Sequence, residues 1–124
     1  MSSFLDLDIY KLSYKYAIEV HHITMKLPKY ELYEQGSQVR RSTKSIKDNI
    51  AEGYGRRRYK AEFIRFLIFA HASCDEAISQ LTMINELHFT ESPINELIDK
   101  YNLLGGKINS FINYVEKNWK TPSK

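Results

Sequence analysis

The chain has 124 residues, the size of one domain with a core of its own, and its 43% apolar, 13% aromatic and 27% charged content is a globular balance. Five Gly and three Pro are too few for the turns of an all-β fold, and the single cysteine, Cys74, excludes an intramolecular disulfide framework and a Cys-rich zinc site and fits a cytoplasmic protein. Acids follow Met1 where a signal peptide needs positive charge, and the longest apolar run, Phe66 to Ala70, is too short to span a membrane.

Four helices and no strand are predicted, all within a single domain covering residues 1–124. The first runs from about Asp8 to Lys26, with Asp6 or Asp8 as its N-cap, and carries two apolar stripes. One is Tyr10, Tyr14, Ala17 and His21; the other is Ile9, Tyr16, Val20, Ile23 and Leu27. A helix apolar on two sides is covered on two sides, which points to a partner subunit as well as a core. Pro28 ends it, because proline drives its predecessor out of helical geometry.

The second helix runs from about Glu31 to Gly53, with Val39, Thr43, Ile46, Ile50 and Gly53 as its core stripe. Gly53-Tyr54-Gly55 is its expected stop, a glycine supplying a left-handed C-cap. The third, about Arg58 to Phe89, repeats apolar residues every four and three positions: Phe63, Leu67, Ala70, Cys74, Ala77, Leu81, Ile84 and His88. That heptad spacing is the seam of a left-handed bundle. The fourth, 93–118, opens on a capping Ser92 and on Pro93 in the first helical position. Its seam is Ile94, Leu97, Tyr101, Leu104, Ile108, Phe111 and Val115, interrupted by Gly105-Gly106, where a kink is expected, and closed by Trp119. Long helices joined by short connections give an all-α, antiparallel up-down-up-down four-helix bundle.

The charge is unevenly placed. Between Gly36 and Lys60 eight bases meet two acids, a net +6, while the rest of the chain sums to −3. Arg40, Lys44 and Lys47 share a helical face at about 100° from the core stripe, with Arg41 beside them. Arg56, Arg57, Arg58 and Lys60 follow at the turn, flanked by Tyr54 and Tyr59. These eight bases are the candidate nucleic-acid-binding residues: guanidinium and ammonium groups take backbone phosphate of RNA or DNA, and flanking tyrosines stack on unpaired bases. The plainer reading is a solvated face with local pairs Glu52–Arg56, Arg58–Glu62 and Lys44–Asp48.

Asn49, Glu52, Gly53, Arg57, Ser73 and Glu76 form a second set. They read as a structural polar network fixing the register of helices two and three, since buried acids need partners. Acid–base catalysis by Glu52 and Glu76 is the competing reading, but no nucleophile or oxyanion loop accompanies them. Glu19-Val20-His21-His22 holds one Glu-x-x-His where a di-iron bundle needs two, and His71 with Asp75 supplies only two ligands, so no metal or other cofactor is expected. Gly53-Tyr54-Gly55 lacks the third glycine and the strand of a nucleotide loop. Cys74 reads as a small core residue.

The segments Gln38-Val39-Arg40-Arg41, Ser45-Ile46 and Asn49-Ile50-Ala51-Glu52-Gly53, with Arg57, Glu62-Phe63-Ile64-Arg65-Phe66-Leu67, Ala70, Ser73 and Glu76, carry a resemblance. So do Phe4, Asp6-Leu7, Ile9-Tyr10-Lys11, Pro28, Glu31 and Tyr33. The chain resembles the bacterial four-helix-bundle family encoded in intervening sequences of 23S ribosomal RNA genes, and is similar to the accessory variability protein of diversity-generating retroelements. The resemblance implies an all-α homopentameric ring without enzyme activity, and its retroelement side implies nucleic acid and a reverse transcriptase as partners. A scaffold or adaptor that binds another protein is the alternative.

Overall fold

The computed structural model describes residues 3–88 and 94–120. A 3-10 turn at Phe4–Asp6 leads into α1 (Asp8–Thr24), followed by the one-turn α2 (Lys29–Leu32), α3 (Gln35–Gly55), α4 (Lys60–His88) and α5 (Ile94–Asn118). Four long helices thus make an all-α fold, with no strand among the described residues. No helix is long and apolar enough to cross a membrane.

The seams read from periodicity form the core. Phe63, Leu67, Ala70, Cys74, Ala77, Leu81 and Ile84 of α4 are all fully buried. They face Val39, Ile46 and Ile50 of α3 and Ile94, Tyr101, Leu104, Ile108 and Val115 of α5. Each buried Val, Leu, Ile or Phe side chain contributes roughly 1.5–3 kcal/mol by leaving water, and the alanines less. In α1 the stripe with Ile9, Val20 and Ile23 is buried, as is Leu27 just beyond the helix; the other stripe divides, Ala17 being buried and Tyr10 packed against the core while Tyr14 and His21 face outward. Phe111 is half-buried, and Ile112 takes a core position beside it. The α3–α4 and α4–α5 seams are the most extensive; α1 meets α3 and, more thinly, α5.

Several local expectations are corrected. Leu7, not Asp6 or Asp8, is the N-cap of α1; Asp8 is its first residue, and Ser3 caps the preceding 3-10 turn by accepting from Leu5 N–H at 2.9 Å. The helix expected from Glu31 to Gly53 is divided at Tyr33–Glu34. The Leu32 carbonyl there accepts from Arg40 Nη2 at 2.7 Å, so a charged side chain satisfies a group at the helix break. Gly36 makes the close approach possible, since a Cβ there would lie 2.9 Å from Arg40 Nη1 and 3.1 Å from the Glu31 carbonyl. α3 runs through Gly55 and its end uses no left-handed glycine, because no described residue has a positive φ. Arg56 closes it instead, donating its N–H to the Gly53 carbonyl at 3.0 Å. α4 starts at Lys60 rather than Arg58. α5 passes through Gly105-Gly106 as continuous helix, Gly105 lying against Cys74. The expected Ser92-Pro93 cap and the end of α4 at Phe89 lie outside the described residues.

Candidate nucleic-acid interface

The structure divides the eight bases by what their charged ends touch. Arg40 points inward. Its Nη1 donates to Thr24 Oγ1 at 3.0 Å and its Nη2 to the Leu32 carbonyl, so one guanidinium ties the end of α1 and the end of α2 to α3. Lys60 donates to the Glu116 carbonyl at 2.7 Å and ties the start of α4 to the end of α5. Both tie helices together, Arg40 from a half-buried position and Lys60 through an exposed bond. The helical wheel placed Arg40 beside the core stripe correctly, but it carries no information about the carbonyl waiting there.

Arg57 bonds the Tyr54 carbonyl at 2.9 Å and lies over the Tyr54 ring at 4.1 Å. Its own carbonyl accepts from Trp119 Nε1 at 3.3 Å, and Trp119 packs on Phe63 with centroids 5.1 Å apart. Lys47 pairs with Asp48 at 2.7 Å, so the expected Lys44–Asp48 pair gives way to the adjacent residue. Arg56 forms the expected pair with Glu52 at 3.4 Å and a second with Glu62 at 3.7 Å. Glu62 otherwise meets Arg65, not Arg58, at 3.5 Å. Such exposed pairs contribute about 0–1 kcal/mol each. Arg41, Lys44 and Arg58 are exposed and pair with no acid among the described residues.

The second set splits into pieces. Asn49 Nδ2 donates to the Ser45 carbonyl at 2.9 Å and to Ser45 Oγ at 3.0 Å, and Ser45 Oγ lies 3.0 Å from Ser73 Oγ, so these residues bridge α3 and α4. Ser42 and Gln80 add a second bridge of 2.6 Å that the sequence reading missed. Gly53 is a point of close approach: a Cβ there would lie 3.0 Å from Phe66 Cβ and 3.3 Å from the Phe63 carbonyl. Glu52 and Glu76 are exposed, not buried, and Arg57 contacts neither. Glu76 lines a groove with Gln38, Arg41, Ser42, Ser45 and Gln80; Glu52 lines a different one with Asp48, Ala51, Gly55 and Arg56. The two carboxylates therefore serve no common pocket.

Other polar groups seal the ends and the α1–α5 seam. His88 Nε2 lies 2.8 Å from Glu31 Oε2, which also accepts from Gln35 Nε2 at 2.6 Å. The His88 bond is the main cause that holds the Glu31 carboxyl below its ordinary range, against the opposing effect of burial. Lys100 reaches Glu19 at 2.8 Å, and that bond raises its ammonium pKa. Cys74 donates to the Tyr101 carbonyl at 3.2 Å, and burial pushes its thiol up to about 12. No cluster of three or more His, Cys, Asp or Glu among the described residues is placed to hold a metal.

A surface groove of about 880 Å³ lies between the start of α1 and the outer face of α5, lined among others by Ile9, Leu103, Gly106, Phe111 and Tyr114. Leu103 is 69% exposed and Tyr114 50%. An outward row at Leu103, Gly106, Ser110 and Tyr114 is a signal the sequence contained, hidden behind the stronger core periodicity of the same helix.

Residues 5–110 match the model of the 23S rRNA-intervening sequence protein family. No curated protein matches the chain. The fold is similar to the crystal structure of a protein of unknown function from the S23 ribosomal protein family of Bacteroides thetaiotaomicron VPI-5482. The TM-score is 0.63 at 21% identity, over 89% of this chain and 99% of that one.

Proposed function

The chain belongs to the 23S rRNA-intervening sequence protein family, and from that premise we propose that it is a non-enzymatic, self-associating bundle that binds nucleic-acid backbone. The observation that carries this reading is the set Arg41, Lys44 and Arg58, exposed bases without an acid partner among the described residues, in the segment of net +6. Phosphate contacts of this kind are independent of sequence and weaken with salt. The non-enzymatic part is supported by the separate grooves of Glu52 and Glu76.

The helices are taken as a single antiparallel up-down-up-down domain. Ser42 with Gln80 and Ser45 with Ser73 support this for α3 and α4, as Cys74 with Tyr101 and Lys60 with Glu116 do for α4 and α5. A cytoplasmic location, a homopentamer and a reverse transcriptase partner belong to the same proposal and rest on the resemblance and on Cys74 being a free thiol.

The test is fluorescence anisotropy with a labelled DNA duplex over a series of salt concentrations. If three bases engage, log affinity falls with log salt at a slope of about 2.7, at about 0.9 per neutralised phosphate. Replacing Arg41, Lys44 and Arg58 by Glu removes binding and leaves helicity intact. Undiminished binding by that variant rejects the surface.

A second reading, a scaffold for protein partners, is favoured by the apolar groove at Leu103 and Tyr114. Under it, replacing both by Asp changes sedimentation or partner recovery while any nucleic-acid binding persists unaltered.

A further inference from the structure

Two aromatic rings on the outside of α4 alternate with guanidinium groups. The Arg56 guanidinium carbon lies 4.8 Å from the Phe66 ring centroid. That of Arg65 lies 5.8 Å from Phe66 and 5.2 Å from Phe69. Phe66 and Phe69 meet edge to face at 5.5 Å. Phe66 is half-buried against the α3 end at Gly53, whereas Phe69 is 39% exposed. At the corner where this row begins, Arg57 covers Tyr54, and Arg58 and Tyr59 face solvent.

The segment that carries this row is basic. Five bases and two acids lie between Glu52 and Phe69, a net +3. The acids hold Arg56 and Arg65 only through long, exposed contacts of 3.4–3.7 Å. A phosphate oxygen replaces such a carboxylate at little cost, because exposed pairs of this length contribute only about 0–1 kcal/mol and the guanidinium fork suits phosphate. A planar ring with a neighbouring guanidinium is also the chemistry on which nucleobases stack. A duplex keeps its base faces inside the stack, so this surface suits unpaired bases.

We propose that the Arg56–Phe66–Arg65–Phe69 row binds single-stranded nucleic acid, with a base stacked on Phe69 and phosphates held by Arg56 and Arg65. The proposal rests on the nucleic-acid reading above and adds to it a strand preference and a second locus.

The test uses the whole chain, a labelled single-stranded RNA of mixed sequence and the matching duplex. Phe69→Leu keeps an apolar side chain but removes the ring; Phe69→Trp keeps a ring. Circular dichroism and sedimentation confirm fold and assembly for each. The expected result is tighter binding of the single strand than of the duplex by the unaltered protein. Phe69→Leu then weakens single-strand binding roughly 5- to 160-fold, the effect of one base–aromatic stack. It leaves duplex affinity alone, and Phe69→Trp restores the single-strand preference.

Four results overturn the proposal. If Phe69→Leu binds single strands as well as the unaltered protein, while the Arg41, Lys44 and Arg58 charge reversal abolishes binding, the row fails and the backbone reading stands. If the unaltered protein binds neither probe at low salt, both fail. If Phe69→Leu changes the sedimentation coefficient, the row is a subunit contact. If poly-glutamate of equal charge competes as well as unlabelled single strand, the surface takes acidic protein instead.

Discussion

Arg40 distinguishes a scaffold residue from a ligand-binding one most directly. Replacing it by Met keeps the aliphatic stem but removes the donors to Thr24 Oγ1 at 3.0 Å and to the Leu32 carbonyl at 2.7 Å. Hydrogen bonds to a charged group contribute roughly 1.5–3 kcal/mol each. Arg40 is only half-buried, so the low end applies and the pair amounts to about 2–4 kcal/mol. Thr24 loses less than Leu32, because its hydroxyl still donates to the Val20 carbonyl at 2.8 Å. Urea unfolding followed by circular dichroism reads the loss. With a slope of about 2 kcal/mol per molar, the middle of the range for a small domain, the midpoint falls by about 1–2 M. Arg41→Met, one residue along and exposed, stays within about 0.5 kcal/mol of the unaltered protein. The same Arg40→Met protein, kept below its unfolding transition, retains the salt slope of duplex binding. If it keeps its stability and instead loses about 0.9 from that slope, Arg40 contacts phosphate and the reasoning is refuted.

The helical glycines give opposite outcomes. Gly53→Ala forces a methyl against Phe66 Cβ and the Phe63 carbonyl and destabilises by about 1–3 kcal/mol, whereas Gly106→Ala meets nothing within 4 Å and stabilises by about 0.5–1 kcal/mol in thermal unfolding. Cys74, its thiol pushed up to about 12 and fully buried, does not react with a thiol-specific disulfide reagent at pH 8 until urea opens the fold; immediate labelling of the native protein would contradict its placement. Glu31, held below its ordinary pKa of 4.5 chiefly by His88, contributes stability that is full above the unfolded value and is lost as pH falls through the folded one. Stability therefore drops on the acid side, and Glu31→Gln flattens that limb in urea titrations at successive pH values; an acid limb unchanged by the substitution would place its cause elsewhere.

The sequence made the core legible because one rule governs it. A residue every three or four positions faces the same neighbour, and the seams of α3, α4 and α5 follow that rule almost without exception. The ends of the helices were less legible, since they depend on single tertiary bonds. Tyr33–Glu34 breaks a helix at the carbonyl that Arg40 satisfies, and residues apart in sequence leave no periodic trace of such a bond. The candidate site was legible as a composition of charges, not as an arrangement. Eight bases read alike in the sequence, but the Leu32 carbonyl draws Arg40 inward and the Glu116 carbonyl ties Lys60 to the end of α5. Phe66 was read only as part of the family motif and Phe69 only within the apolar run Phe66 to Ala70, because neither stands out from the periodicity of a core helix.

This redistribution of charge joins the two parts of the proposed function. The three bases Arg41, Lys44 and Arg58 give one subunit only a few phosphate contacts, which is weak binding at physiological salt. Repetition of that surface around an assembly raises the effective local concentration after the first contact and multiplies affinity without any new contact. Binding should then depend on assembly even where no basic residue is altered. Leu103→Asp with Tyr114→Asp places charge in the α1–α5 groove, far in kind from the basic face, and both side chains are exposed, so the fold survives. If that groove joins subunits, the variant sediments as a monomer, and its affinity for a duplex long enough to reach several subunits falls 100-fold or more, within the range avidity supplies. Its affinity for a duplex short enough to touch one subunit stays the same. A monomeric variant that holds the long duplex as tightly as the assembled protein would show that a single subunit suffices, and would separate self-association from nucleic-acid binding.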